Sequence, residues 1–282
     1  MINKFINRYT CSPSQLSSII FRLNKNNMYP IIDYINERGN DHYSNYKKII
    51  ENINKYPHNF FSIKLSSLNI KNDYKLSEKY AQDICLTALE NNCCILIDAE
   101  DYNIQDQINT ITNDLMYKYN IDKTNIYKTY QCYRKDSFET IKNDLYLKDV
   151  QNYNLGIKLV RGAYYNSDKK YNILFNTIDD THNNYNKIVK YLFQHTDHND
   201  RIMIASHNSE SCDLAINNKH LLKNEDMLCF AQLLGMGDEL SNKLSKTNIV
   251  YKYVPFGNLY ESIPYLLRRL YENKDSIKYL YK

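Results

Sequence analysis

Phe60–Asp98 reads FFSIKLSSLNIKNDYKLSEKYAQDICLTALENNCCILID. Its ends are two short apolar, β-branched runs, Phe60-Phe-Ser-Ile-Lys-Leu65 and Cys94-Ile-Leu-Ile-Asp98, each of strand length. Between them, Leu76 to Asn91 places Tyr80, Ile84, Ala88 and Leu89 near one stripe, with Leu86 fitting less well, which is helical periodicity. Near-continuous apolar runs on either side of a helix describe parallel strands, buried on both faces and joined by a crossover.

Outward from this unit the pattern repeats. Pro30-Ile-Ile-Asp-Tyr34 precedes it, and Asn125-Ile-Tyr-Lys-Thr-Tyr130, Leu155-Gly-Ile-Lys-Leu-Val160, Arg201-Ile-Met-Ile-Ala205, Met227-Leu-Cys-Phe-Ala231 and Asn248-Ile-Val-Tyr-Lys-Tyr-Val254 follow, making eight runs. Helices are predicted over Asp41 to Tyr56, Asp106 to Tyr119 and Thr181 to Phe193, with a shorter one over Ser209 to Asn217. Eight strand–helix units in about 250 residues fit a closed α/β barrel, the (β/α)8 TIM-like fold, better than an open doubly wound sheet. No linker or charge block divides the chain. The expected organisation is an N-terminal arm and helix over 1–28, then one barrel domain over 29–282. Within the arm, Ser14-Gln15-Leu16 through Lys25 reads as a capped amphipathic helix.

Composition narrows the function. The 282 residues carry 36 basic and 32 acidic side chains, a net charge of +4 that is too small for an electrostatic grip on nucleic acid. No apolar run approaches the roughly 18 residues of a membrane span. The six glycines form neither G-x-G-x-x-G nor G-x-x-x-x-G-K-[ST], which disfavours nucleotide binding through those loops. Seven cysteines, an odd number without C-x-x-C spacing, read as reduced thiols in an intracellular compartment. Lys4, Arg8, Arg22 and Lys25, with no acidic residue before Asp33, resemble a transit peptide, but the predicted helix leaves a short leader.

In such a barrel the chemistry sits where the strands end. Every run ends in a polar group: Asp33 and Glu37; Lys64; Asp98 and Glu100; Gln131; Lys158, Arg161 and Tyr164; His207 and Asn208; Gln232; Lys252 and Tyr253. Each alone reads as an ion pair or a cap; together they suggest a site. A last helix follows, with Ser262 as candidate N-cap and Pro264 in its first turn. At about 100° per residue, Tyr265, Arg268, Arg269 and Glu272 share one arc of about 100°, opposite Ile263, Leu266, Leu267 and Leu270. That arc is either a solvated face or a pair of guanidiniums set for a carboxylate, with Glu272 available to a cation, as a zwitterion requires.

Seven motifs in order resemble proline dehydrogenase: Ile63-Lys-Leu-Ser-Ser-Leu68, Ile97-Asp-Ala-Glu100, Lys158-Leu-Val-Arg-Gly-Ala-Tyr164, Ser206-His-Asn208, Gln232-Leu-Leu-Gly-Met-Gly-Asp238, Lys252-Tyr-Val-Pro-Phe-Gly257 and Tyr265-Leu-Leu-Arg-Arg-Leu-Tyr-Glu-Asn273. The resemblance implies a distorted barrel of the compact monofunctional type, binding FAD without a covalent bond, with its last helix over the mouth. It implies oxidation of L-proline to Δ1-pyrroline-5-carboxylate, electrons passing to a quinone at a membrane surface. By the same match Arg268 and Arg269 clamp the substrate carboxylate beside Glu272 and Tyr265. Lys64, Asp98, Tyr164, Leu233 and Tyr253 line the pocket. FAD contacts fall on Gln131, Lys158, Arg161, Gly162, Ala163, His207, Asn208 and, through its backbone, Tyr127. No metal is implied. The family is mitochondrial in eukaryotes; the short leader keeps a cytoplasmic alternative. Tyr253 favours proline over hydroxyproline, whose added hydroxyl its ring would crowd. Hydroxyproline oxidation and an inactive barrel serving as a binding protein are the alternatives, and a metal-dependent hydrolase using His195-x-x-His198 is a distant third.

Overall fold

The apolar runs become eight strands: β1 (Met28–Tyr34), β2 (Phe60–Ile63), β3 (Cys94–Ile97), β4 (Ile126–Gln131), β5 (Gly156–Val160), β6 (Arg201–Ala205), β7 (Leu228–Leu233) and β8 (Ile249–Phe256). The structure, a computed structural model, describes residues 8–36 and 41–258. The strands close in sequence order into one barrel, all neighbours parallel. β8 returns to β1 over a register running from Met28↔Val250 to Tyr34↔Phe256. The (β/α)8 architecture expected from the sequence is the one formed.

Nine helices of one turn or more are described: α1 (Leu16–Lys25), α2 (His42–Lys55), α3 (Tyr74–Glu90), α4 (Tyr102–Tyr119), α5 (Ser137–Gln151), α6 (Tyr165–Asp168), α7 (Ile178–His195), α8 (Ser209–Asn217) and α9 (Asp238–Leu244). Three start earlier than their apolar periodicity indicates because a side chain caps them upstream. Asp73 accepts the Leu76 N–H, Asp101 the Asn103 N–H and Thr177 the Asp180 N–H. α1 lacks its expected side-chain cap; Gln15 occupies the position and turns its Oε1 back to the Ser12 N–H at 3.0 Å.

Burial separates into two shells by strand parity. One set of side chains packs under the helices, including Ile32, Ile63, Ile95, Ile97, Leu159 and Val254. The alternate set fills the barrel interior: Ile31, Leu96, Tyr127, Met203, Cys229, Ala231 and Tyr253. Cys11, Leu16, Ile19 and Leu23 of the N-terminal segment join the outer core, and Cys11 bridges to Phe256 at the end of β8. All seven cysteines are free. No described helix is long and apolar enough to cross a membrane.

Candidate active site

Parity decides which polar strand ends reach the mouth. Two residues on from Ile31 and Leu96, on the same inward side, lie Asp33 and Asp98; four on from Phe60 and Tyr127 lie Lys64 and Gln131. These side chains meet. Lys64 Nζ donates to Asp33 Oδ1 and Oδ2 at 2.7 and 2.8 Å and to Tyr253 OH at 3.1 Å. It also lies 3.4 Å from Asp98 Oδ2. Lys158 Nζ donates to Asp98 Oδ1 at 2.7 Å, and Tyr253 OH donates to Asp98 Oδ2 at 2.7 Å. Ser62 Oγ stands 3.1 Å from Tyr253 OH. Lys158 Nζ sits 4.9 Å from the centre of the Tyr253 ring, within cation–π range. Side chains separated by up to 220 residues of sequence thus form one network on the floor of the mouth, alternating ammonium and carboxylate.

Charge and burial set the protonation of this floor. Burial pushes the Asp98 carboxyl up, but Lys158 and Lys64 outweigh it and hold the group well below the usual carboxylate range. Burial pushes Asp33 upward against the pull of Lys64. Glu100 is raised by burial despite accepting from both the N–H and hydroxyl of Ser66.

A second network runs along the rim. Gln131 Nε2 donates to the Glu100 carbonyl at 2.9 Å, and Gln131 Oε1 accepts the Ala163 N–H at 3.0 Å, joining the ends of β3, β4 and β5. Arg161 is held by three partners: His182 Nδ1 at 2.9 Å, Ser206 Oγ at 2.6 Å and Ser211 Oγ at 2.9 Å. Asn208 caps α8, accepting the Ser211 N–H at 2.8 Å. His207 Nε2 accepts the Leu233 N–H at 3.0 Å, tying the β6 and β7 ends together. Gly162 adopts φ +142°, and a Cβ there would lie 2.5 Å from the Tyr133 ring. Tyr133, rather than open space for a ligand, occupies that position. Tyr164 follows Ala163 and precedes α6; Leu233 packs against the interior cluster that includes Tyr253.

Several sequence-based expectations change. Gln232 and Lys252 point outward between barrel and helices: Lys252 Nζ donates to the Met236 carbonyl, Asp238 Oδ1 and Ser241 Oγ, and Ser241 donates to Gln232 Oε1. They brace the loop after β7 rather than line the mouth. Tyr127 is inward but deep, with its ring against Phe60, four residues before the strand end that carries Gln131. His195 ends α7, and crossover helices run back toward the strand starts, which sets it at the opposite end of the barrel from the mouth. Glu37, Tyr265, Arg268, Arg269 and Glu272 lie outside the described residues. Residues missed from the sequence include Asp33 as a partner of Lys64, Ser62, and the Ser206–Ser211–His182 cradle of Arg161. Ser62 has the inward parity of Lys64, a signal that was present; the cradle is assembled from three separate elements.

The family sequence profile described as Proline dehydrogenase matches residues 22–281. The chain belongs to the proline dehydrogenase family. It is 34% identical over 204 residues to the human protein named "Proline dehydrogenase 1, mitochondrial" and 38% identical over 199 residues to its Dictyostelium discoideum namesake. The matches cover 68% and 65% of this chain but only 34% and 35% of those relatives. Among solved structures, proline utilization A from Bdellovibrio bacteriovorus, inactivated by N-propargylglycine, is similar with a TM-score of 0.87 at 19% identity, over 96% of this chain and 33% of that one. The structural likeness supports the barrel fold of this proline dehydrogenase family member.

Proposed function

We propose that this protein oxidises L-proline to Δ1-pyrroline-5-carboxylate at the barrel mouth, using FAD and passing electrons to a quinone. The observation that carries the proposal is the Lys64–Asp98–Lys158–Tyr253 network: buried charges gathered at a strand-end mouth where structure alone would favour apolar packing. Overall, L-proline loses a hydride from the carbon beside nitrogen and a proton from nitrogen, leaving a C=N bond.

The chain's residues divide this work. Arg268 and Arg269 would hold the carboxylate, with Glu272 and Tyr265 beside them. Asp98, kept anionic by two ammoniums, would orient the substrate nitrogen and is a poor acceptor for its proton. Water at the mouth is an available acceptor for that proton. Tyr253 and Leu233 would close the pocket around the ring, with Tyr164 at its edge. Gln131, Lys158, Arg161, Gly162, Ala163, His207 and Asn208 are the groups that would hold FAD, which when bound supplies the hydride acceptor. The fit has one direct support: among the described residues the buried Thr129 hydroxyl, on the inward side of β4 and paired in register with Lys158, has no hydrogen-bond partner. That is the kind of unmet polar atom a bound polar ring satisfies. Lys158, though paired with Asp98, and Arg161, whose three described partners are uncharged, are the basic groups available to answer negative charge there. The relatives named mitochondrial favour the mitochondrion over the cytoplasm as its location.

The test is steady-state reduction of a quinone analogue by the FAD-loaded protein. Reduction that depends on L-proline and yields the cyclic imine supports the proposal. A protein that takes up no flavin, or takes it up and leaves proline untouched, overturns it in favour of a binding protein built on this barrel.

A further inference from the structure

Asp33 has no part in the function proposed above, yet it is the closest charged partner of a residue that does. Its side chain is 1% exposed and its two carboxylate oxygens lie 2.7 and 2.8 Å from Lys64 Nζ. Both oxygens accept from the same Nζ, the geometry of a charge-assisted pair. An ammonium has three N–H groups, and among the described residues that of Lys64 donates to both Asp33 oxygens and, at 3.1 Å, to Tyr253 OH. Asp98, at 3.4 Å, is the more distant carboxylate and is itself taken by Lys158 and Tyr253. Among the described residues, the charged or titratable groups facing Lys64 are Asp33 from β1, Asp98 and Glu100 after β3, and Tyr253 from β8, with Lys158 from β5 beyond Asp98.

We propose that Asp33 is a positioning residue of the substrate pocket, holding the Lys64 ammonium charged and fixed beneath the mouth. Without it, Lys64 would turn to Asp98 and compete with Lys158, disturbing the carboxylate that faces the substrate nitrogen. The inference rests on the reading of the mouth as a proline pocket.

The experiment compares wild type, Asp33→Asn, Lys64→Met and the Asp33→Asn/Lys64→Met double variant, all as FAD-loaded protein. The first readout is an NMR titration of lysines labelled at carbon ε, with the Lys64 signal assigned by its loss in Lys64→Met. The second is the pH profile of kcat/KM for L-proline. In Asp33→Asn the Lys64 signal should titrate at lower pH than in wild type, and kcat/KM should fall about tenfold or more. The double variant should be no slower than Lys64→Met, since the proposed role of Asp33 passes through Lys64. Asp33→Glu should recover part of the loss. An unmoved Lys64 titration, or a double variant slower than Lys64→Met, overturns the proposal. Lys64→Met strands the buried Asp33 carboxylate, whereas Asp33→Asn leaves Lys64 beside Asp98 and the double variant removes both charges. If Lys64→Met does not fold, the double variant, which also lacks the Lys64 signal, assigns it and the NMR titration of Asp33→Asn carries the test. Wild type inert toward proline would sink the pocket reading, while the NMR titration would still judge the tie between Asp33 and Lys64.

Discussion

Replacing Gly162 by alanine adds one methyl group at φ +142°, in a backbone region that L side chains rarely adopt. Two separate costs follow. Backbone strain of a side chain held at such an angle contributes about 1–3 kcal/mol. The methyl would also stand 2.5 Å from Tyr133 Cδ1 and 2.6 Å from Cδ2 and Cε1, well inside contact distance. The ring cannot swing away freely, because its hydroxyl donates to the buried Asp168 Oδ2 at 2.8 Å, and Asp168 in turn accepts the Tyr102 N–H at the start of α4. Overpacking of this kind costs about 1–3 kcal/mol, so the expected loss is about 2–6 kcal/mol. Urea unfolding followed by circular dichroism measures it. In a Tyr133→Ala background the steric conflict with the ring disappears and only the backbone part, about 1–3 kcal/mol, should remain. The same penalty in both backgrounds, or a loss below about 1 kcal/mol in wild type, would refute the assignment of this glycine to Tyr133.

Other outcomes follow from the same geometry. Arg268→Met and Arg269→Met should each raise KM for L-proline strongly while flavin stays bound; unchanged kinetics in both would remove the carboxylate clamp. Tyr253→Ser should raise the ratio of 4-hydroxyproline to proline turnover, while slowing both because Asp98 loses its 2.7 Å bond to the phenol; an unaltered ratio would show that this ring does not set specificity. Away from the mouth, hydrogen bonds from Lys148 and Lys223 lower the Asp197 carboxyl to about 2. A depressed carboxyl stabilises the fold above its unfolded value near ~3.9 and loses that contribution as pH falls toward the folded one. Asp197→Asn should therefore be less stable than wild type at neutral pH, and the difference should fade between about pH 4 and pH 2. A constant difference over that range in acid-unfolding curves would contradict the pairing.

What the sequence revealed, and where it was silent, has physical causes. Strands were legible because parallel barrel strands are apolar on both faces, so each appears as an uninterrupted run. α5 was missed because its pattern is inverted: Asp144 and Lys148 are buried while Tyr146 and Val150 are exposed. Lys128 Nζ and Tyr130 OH both bond Asp144 Oδ2, and Lys148 pairs with Asp197 and Asp200, so the helix is docked by ion pairs instead of an apolar stripe. At the site, motif resemblance collected the right strand ends but not their directions. Lys252 and Tyr253 are adjacent in sequence, yet one braces a loop behind the barrel and the other lies on the floor of the mouth. Alternation along each strand carries that information once the strand's register is known, and only the closed barrel supplies the register.

The most direct test of the central claim is anaerobic mixing of the FAD-loaded protein with L-proline while the visible flavin band is recorded, beside the same protein carrying Asp98→Ala. The network at the mouth predicts that proline bleaches the wild-type flavin within one turnover and that Asp98→Ala, with flavin still bound, bleaches far more slowly. Equal bleaching rates in the two proteins, or no bleaching in wild type, would contradict it.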